Sequence, residues 1–250
     1  MAAIKPVVVI IPGGFHRPSH YDNLTNPLRE KGYDVLTPPL VVAGDENVDA
    51  DATPLSDVAR IFEELKPLLD QGREAVLVSH SYGSVVAAES LKEHTIQDRK
   101  ERGLQGGIKG WVCIAGFAFP ALGKNLMGGE DELPLLPYQT LKDGLLSLTE
   151  DAKPLFFNDV PPEIADEAWA SILKFQSHKS LTSLPTFIAS QAKCSKTYVL
   201  CEKDQTVPPQ FQEMMVGVGG FDKVLRVPAG HAPYLTVPDQ VVAAIEGACS

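Results

Sequence analysis

Ser81 has the clearest chemical setting in the chain. It lies in Val78-Ser79-His80-Ser81-Tyr82-Gly83-Ser84, behind the apolar run Ala75 to Ser79 and ahead of Val85-Val86-Ala87-Ala88. This pattern predicts a strand, a sharp turn with Ser81 at its tip, and a helix, the geometry of a nucleophile elbow. Such a turn needs small residues two before and two after the serine. Gly83 meets that need, and Ser79 stands where glycine is commonest. The elbow also sets the serine at a helix N-terminus, where free N–H groups and the helix dipole favour developing negative charge.

A serine hydroxyl needs a base at neutral pH. Of the six histidines, His231 lies in Pro228-Ala229-Gly230-His231-Ala232-Pro233, just past the last strand-like run. That loop reaches the sheet edge that carries Ser81. His16 and His20 fall in the first loop, His94 ends a polar helix and His178 falls in an insertion. The His80 side chain is expected to point away from Ser81. The base in turn needs a carboxylate to hold its tautomer. Asp204 follows the run Thr197 to Cys201, and its rival Glu202 stands so near the strand end that it should face elsewhere. An oxyanion would be met by one N–H from Gly14 or Phe15, in Pro12-Gly13-Gly14-Phe15 after the first strand, and by the N–H of Tyr82.

The elements that must position these groups follow from periodicity. Val7 to Ile11 is a continuous β-branched run, as expected for a strand covered on both faces. Helical spacing from about Ser19 ends at Gly32. A strand is expected over Asp34 to Thr37, a loop over 41–52, and a helix from Pro54 to Leu69. Further strands are expected over Ala75 to Ser79, Trp111 to Ala115, Thr197 to Cys201 and Lys223 to Val227. Helices are expected near 208–217 and 237–248. Such alternation predicts an α/β fold with a mostly parallel sheet of about six strands and helices on both faces. Residues 120–190 break the rhythm: they carry seven prolines, helical patterns near 139–150 and 161–175, and no convincing strand. We read 1–119 with 191–250 as the core and 120–190 as an inserted helical cap, entering at a strand's carboxyl end, where such sheets bind ligands.

Composition narrows the function classes. The 250 residues carry a formal net charge of -10. The one basic run, Lys92 to Arg102, is interleaved with acids and reads as a solvated helix end. Nucleic acid is therefore not an expected partner. No segment approaches the ~18 apolar residues of a membrane span, and the start of the chain lacks a signal-peptide pattern; a cytoplasmic protein is expected. The four cysteines show neither metal-ligand spacing nor a disulfide framework. No metal or organic cofactor is expected.

With these residues in place, the chain resembles the α/β-hydrolase superfamily, and within it the small esterases related to plant methylesterases and hydroxynitrile lyases. The resemblance covers most of the chain. It rests on Pro12-Gly13-Gly14-Phe15-His16, the elbow at Ser81, Ala115-Gly116-Phe117, the stretch Phe156-Phe157-Asn158-Asp159-Val160-Pro161-Pro162, the loop at Asp204 and the Gly230-His231 loop. Hydroxynitrile lyases of this group carry a lysine just after the histidine. Ala232 stands there, which argues against cyanohydrin cleavage. Family members usually begin the oxyanion loop with histidine, where this chain has Pro12.

The chemistry expected is acyl transfer to water: Ser81 attacks an ester-like carbonyl, His231 moves the proton, Asp204 supports His231, and Gly14 and Tyr82 hold the oxyanion. Phe15, Tyr82 and Phe117 should surround the nucleophile. Cap residues Leu135, Leu136, Leu145, Leu146, Phe156, Phe157, Trp169 and Leu173 supply apolar surface for a small, largely apolar substrate. Three rivals remain: a lyase or other non-hydrolytic enzyme using the triad as acid and base, a triad-bearing small-molecule receptor, and a non-catalytic interaction protein. The protein is expected to be a monomer or homodimer.

Overall fold

The strand-like runs at 7–11 and 75–79 lie side by side in the computed structural model, which describes residues 4–250. β1 (Val7–Ile11) leads through a short 3-10 turn into α1 (Asp22–Glu30). β2 (Val35–Leu36) and the two-residue β3 (Ala43–Gly44) follow, then α2 (Pro54–Asp70), β4 (Glu74–His80), α3 (Gly83–Leu91), α4 (Ile96–Glu101) and β5 (Gly107–Ile114). The inserted stretch holds β6 (Gln139–Lys142), β7 (Leu145–Leu148), α5 (Lys153–Phe156), α6 (Pro162–Ala170), β8 (Phe175–Ser177) and α7 (Lys179–Thr182). The chain closes with β9 (Ser195–Cys201), α8 (Pro209–Gly219), β10 (Lys223–Val227), α9 (Pro233–Thr236) and α10 (Pro238–Cys249).

The main sheet is parallel throughout, in the order β10-β9-β5-β4-β1-β2. Strand alternation splits its side chains between two cores. Val8, Ile10, Val76, Val78, Val112 and Ile114 pack with α1 and α10 through Leu24, Leu28, Val241 and Ile245. Val7, Val9, Ile11, Leu77, Trp111 and Cys113 face α2, α3 and α8 through Ile61, Leu65, Val86 and Met215. The order turns at β1: β2 lies on one side and β4 on the other. A ligand crevice forms outside the carboxyl ends of the strands at such a point. The loop after β1 and the elbow after β4 both open there.

Two local expectations are corrected. The stretch 139–150 is no helix but a hairpin of β6 and β7, which pair from Gln139↔Leu148 to Lys142↔Leu145. Its loop is Asp143-Gly144, with φ of 51° and 76°, the two positive values that a type I′ turn demands and that Asp-Gly supplies. Here β8 and β3 extend the hairpin into a second, antiparallel sheet of order β3-β8-β7-β6. The expected helix over 161–175 stops at Ala170, and β8 begins at Phe175. The basic run also differs in one residue. Arg99 is buried, donating to Asp70 Oδ1 at 2.8 Å and to the Gln105 carbonyl. No helix among the described residues is long and apolar enough to cross a membrane.

Candidate active site

Ser81 has φ of 49°. A non-glycine residue in this region is strained, by about 1–3 kcal/mol, and such strain collects at functional turns. The surroundings hold it there. Ser81 N–H donates to the Ile114 carbonyl at 3.0 Å, and the Ser81 carbonyl accepts from Ser84 N–H at 2.9 Å and Ser84 Oγ at 2.7 Å. Gly83 presses on the loop after β1: a Cβ there would lie 2.5 Å from the Ile11 carbonyl oxygen and 2.6 Å from that of Pro12. Ser79, in place of the commoner glycine, is fully buried and accepts the Trp111 indole N–H at 2.7 Å. The serine hydroxyl thus satisfies a core tryptophan that a glycine would leave unpaired.

The structure joins the other two nominated groups. His231 Nδ1 lies 2.8 Å from Asp204 Oδ2, and both residues are buried. Asp204 Oδ1 accepts the N–H groups of Thr206 and Val207, each at 2.8 Å. A carboxylate so filled must meet the ring through its other oxygen, which fixes the proton on Nδ1 and leaves the Nε2 lone pair free to act as a base. The rival Glu202 is exposed. Sequence reasoning missed Gln212, on the inner face of α8. It is fully buried, bonds both main-chain groups of Cys201, and extends Nε2 to Asp204 Oδ2 at 3.3 Å. Its signal was a polar residue amid the apolar positions of an amphipathic helix.

The inserted stretch braces both loops. Asp159 Oδ2 accepts Gly230 N–H at 2.7 Å, next to His231, and Asn158 Nδ2 donates to the Lys203 carbonyl at 2.9 Å, next to Asp204. A Cβ on Gly230 would collide with the side-chain oxygens of both residues, at 2.4 and 2.5 Å. Glycine before the histidine is therefore the residue that lets the brace close.

In the loop after β1, the N–H groups divide. Gly13 N–H donates to Tyr21 Oη at 2.8 Å, and Phe15 N–H donates to Gln176 Oε1 at 3.0 Å. Gly14 N–H, between them, has no acceptor among the described residues, and neither does Tyr82 N–H at the start of α3. Of the two donors the sequence left open, Phe15 is thus already engaged. Two other histidines find partners: His80 is buried and bonds Tyr21 and the His231 carbonyl, while His16 Nδ1 lies 2.7 Å from the Gly14 carbonyl. Burial drives both imidazoles well below their usual pKa, so they are neutral at pH 7.

The parallel sheet and its flanking helices agree with a known family. The family model described as "Alpha/beta hydrolase family" matches residues 8–244. The chain belongs to the α/β hydrolase family. Among curated relatives, the "Alpha/beta hydrolase nvfD" of Aspergillus novofumigatus (strain IBT 16806) is 29% identical, over 98% of this chain and 97% of its own. The "Probable hydrolase R7" of Phoma sp. (strain ATCC 20986 / MF5453) is 25% identical, over 95% of each. Among solved structures, polyneuridine aldehyde esterase superposes with a TM-score of 0.75 at 18% identity, covering 97% of this chain and 98% of its own. Methylesterase MES16 from Arabidopsis gives 0.71 at 17%, with the same coverage. These structures share the fold.

In this α/β hydrolase, Phe15 is buried against Gln176, while Phe117 and Trp169 are half-buried. Phe117 packs with Val85 and Phe119 beside the elbow helix, and Trp169 packs against the core under α1 and α10. Phe156 lies 5.7 Å from the His231 ring, centre to centre, whereas Leu135 and Leu136 are exposed. No group of three or more His, Cys, Asp or Glu among the described residues could hold a metal ion.

Tyr82 is anchored through its side chain to Asp57, whose carboxylate also accepts the Val41 and Val42 N–H groups. Burial outweighs these three donors and pushes the Asp57 carboxyl up to about 6. A carboxyl with a raised folded-state pKa contributes stability below its unfolded pKa, and that contribution is lost as pH rises through the folded value. At about 1.4 kcal/mol per unit, Asp57→Asn should gain roughly 3 kcal/mol on wild type between about pH 4 and pH 7. Urea unfolding of both proteins across that range measures it, and a difference independent of pH would refute the assignment.

Proposed function

We propose that this α/β hydrolase is a serine esterase, cleaving an ester or related acyl bond of a small, largely apolar substrate. The observations that support the reading are the strained turn at Ser81, the buried Asp204–His231 pair, and the 2.8 Å approach of His80, the residue before Ser81, to the His231 carbonyl. Ser81 Oγ attacks the carbonyl carbon while its proton passes to His231 Nε2, and Asp204 balances the imidazolium. The carbonyl oxygen, now negative, accepts from the free N–H groups of Gly14 and Tyr82. Collapse expels the alcohol with the proton from His231 and leaves an acyl-serine. A water then gives its proton to His231 and attacks the acyl carbon, freeing the acid and restoring Ser81. The sequence of steps calls on no metal or organic cofactor.

Residues 120–190 serve in this reading as a cap on the core formed by 1–119 and 191–250. Phe15, Phe117 and Trp169 supply apolar contacts to the substrate. A panel of short and medium p-nitrophenyl esters, with a fluorophosphonate probe followed by peptide mass analysis, tests the proposal. Turnover together with an adduct on the peptide containing Ser81 is expected. A folded protein that hydrolyses none of the esters and takes no adduct would displace the reading in favour of acid–base lyase chemistry or ligand reception at the same site.

A further inference from the structure

We infer that Tyr21 and His80 form a positioning relay that fixes the oxyanion loop against the main chain of His231, an inference that rests on the esterase reading. Three buried hydrogen bonds run in series. Gly13 N–H donates to Tyr21 Oη at 2.8 Å, Tyr21 Oη lies 2.9 Å from His80 Nδ1, and His80 Nε2 lies 2.8 Å from the His231 carbonyl oxygen. Donor and acceptor roles leave one direction. The Gly13 N–H can only donate and the His231 carbonyl can only accept, so with a neutral ring the tyrosine oxygen accepts at one end and sends its single proton onward to His80 Nδ1. His80 Nδ1 is then the acceptor, its proton sits on Nε2, and Nε2–H donates to the His231 carbonyl. An imidazolium at this position would turn Nδ1 into a donor and leave the tyrosine hydroxyl proton without its acceptor.

The relay touches three of the loops that the chemistry needs. Gly13 adjoins Gly14, His80 adjoins Ser81, and the last acceptor belongs to His231 itself. A Cβ on Gly13 would lie 2.7 Å from His80 Nδ1, so the loop rests directly on the ring. With Gly13 N–H held by Tyr21 and Phe15 N–H held by Gln176, the peptide between them is pinned on both sides, while Gly14 N–H has no acceptor among the described residues. Fixed donors of this kind stabilise charge without reorganising during the reaction. Tyr21 and His80 touch no reacting atom; they act through the groups they hold.

The neighbouring Tyr234 supplies the control. Its ring packs 4.7 Å from Tyr21 and 5.2 Å from His80, it is as deeply buried, and its hydroxyl has no partner among the described residues. Tyr21→Phe and Tyr234→Phe therefore make the same chemical change in one cluster, with and without the relay. Ester turnover, fluorophosphonate labelling and thermal midpoints are measured for both, beside wild type and Ser81→Ala. Tyr21→Phe is expected to lower kcat about 10- to 100-fold, with KM within about twofold and labelling slowed alike, while Tyr234→Phe matches wild type. Equal activity in the two variants, or a Tyr21→Phe loss confined to KM, overturns the relay but leaves the esterase reading standing. A wild type that neither turns over ester nor labels at Ser81 overturns both. Should Tyr21→Phe fail to fold, nitrogen NMR of the wild-type imidazoles decides: His80 must be the neutral Nε2–H tautomer at neutral pH, and an Nδ1–H or charged His80 overturns the proposal.

Discussion

Ser81→Ala is expected to lower ester turnover at least ~1000-fold and to leave the thermal midpoint nearly unchanged. The first part follows from the proposed mechanism, in which the Ser81 hydroxyl is the atom that attacks. What survives is the catalysis that bound substrate and the Gly14 and Tyr82 N–H groups give to water. The second follows from what the hydroxyl does in the fold. Ser81 is held through its backbone, by the Ile114 carbonyl, Ser84 N–H and Ser84 Oγ. Alanine keeps those bonds and has the same difficulty as serine at a φ of 49°. Activity and stability should therefore separate. A variant as active as wild type would remove Ser81 from the mechanism, and a variant that unfolds would show that the hydroxyl is a structural group.

Asp204→Asn should cost kcat on the order of 10⁴-fold, with the protein still folded. The asparagine oxygen can keep the Thr206 and Val207 N–H groups, both of which now bond Oδ1. Its amide N–H₂ then faces His231 Nδ1, from 2.8 Å in the present geometry. A donor there favours the tautomer with the proton on Nε2, which cannot accept the serine proton. Steady-state kinetics should place the loss in kcat. Glu202→Gln, on the exposed side chain after β9, should leave the rate alone. The reverse pattern, with Glu202 essential and Asp204 dispensable, would reassign the acid.

The parts of the site that were legible in the sequence are those with a local cause. A β-branched run, small residues at fixed offsets and a following helical pattern signalled the elbow, and β4 and α3 stand where they were expected. Asp204 and His231 could be placed because each closely follows a strand. The inserted stretch was read less well. Apolar spacing over 139–150 suggested a helix, yet Asp143-Gly144 carried the stronger local signal, a two-residue hairpin turn. Tyr21 and Gln176 were not legible as site residues, and Gln212 left only the signal of a polar residue amid the apolar positions of a helix. The bonds that tie them to Gly13, Phe15 and Asp204 span 8 to 161 residues of chain, and only the folded sheet brings those groups together. Arg99 illustrates the same limit at the surface, since a charged helix reads as solvated until its carbonyl and carboxylate partners are known.

The uncharged imidazoles of His16 and His80 have a consequence for the whole molecule. Burial lowers the affinity of both for a proton, whereas in an unfolded chain each would bind one below about pH 6.5. Acid thus draws the equilibrium toward the unfolded chain by proton uptake. At two protons per molecule, the pull approaches about 2.7 kcal/mol for each pH unit. That slope can exceed the opposing one from Asp57, a single carboxyl. The same packing that holds the histidine loop in register therefore sets an acid limit on where this fold can work.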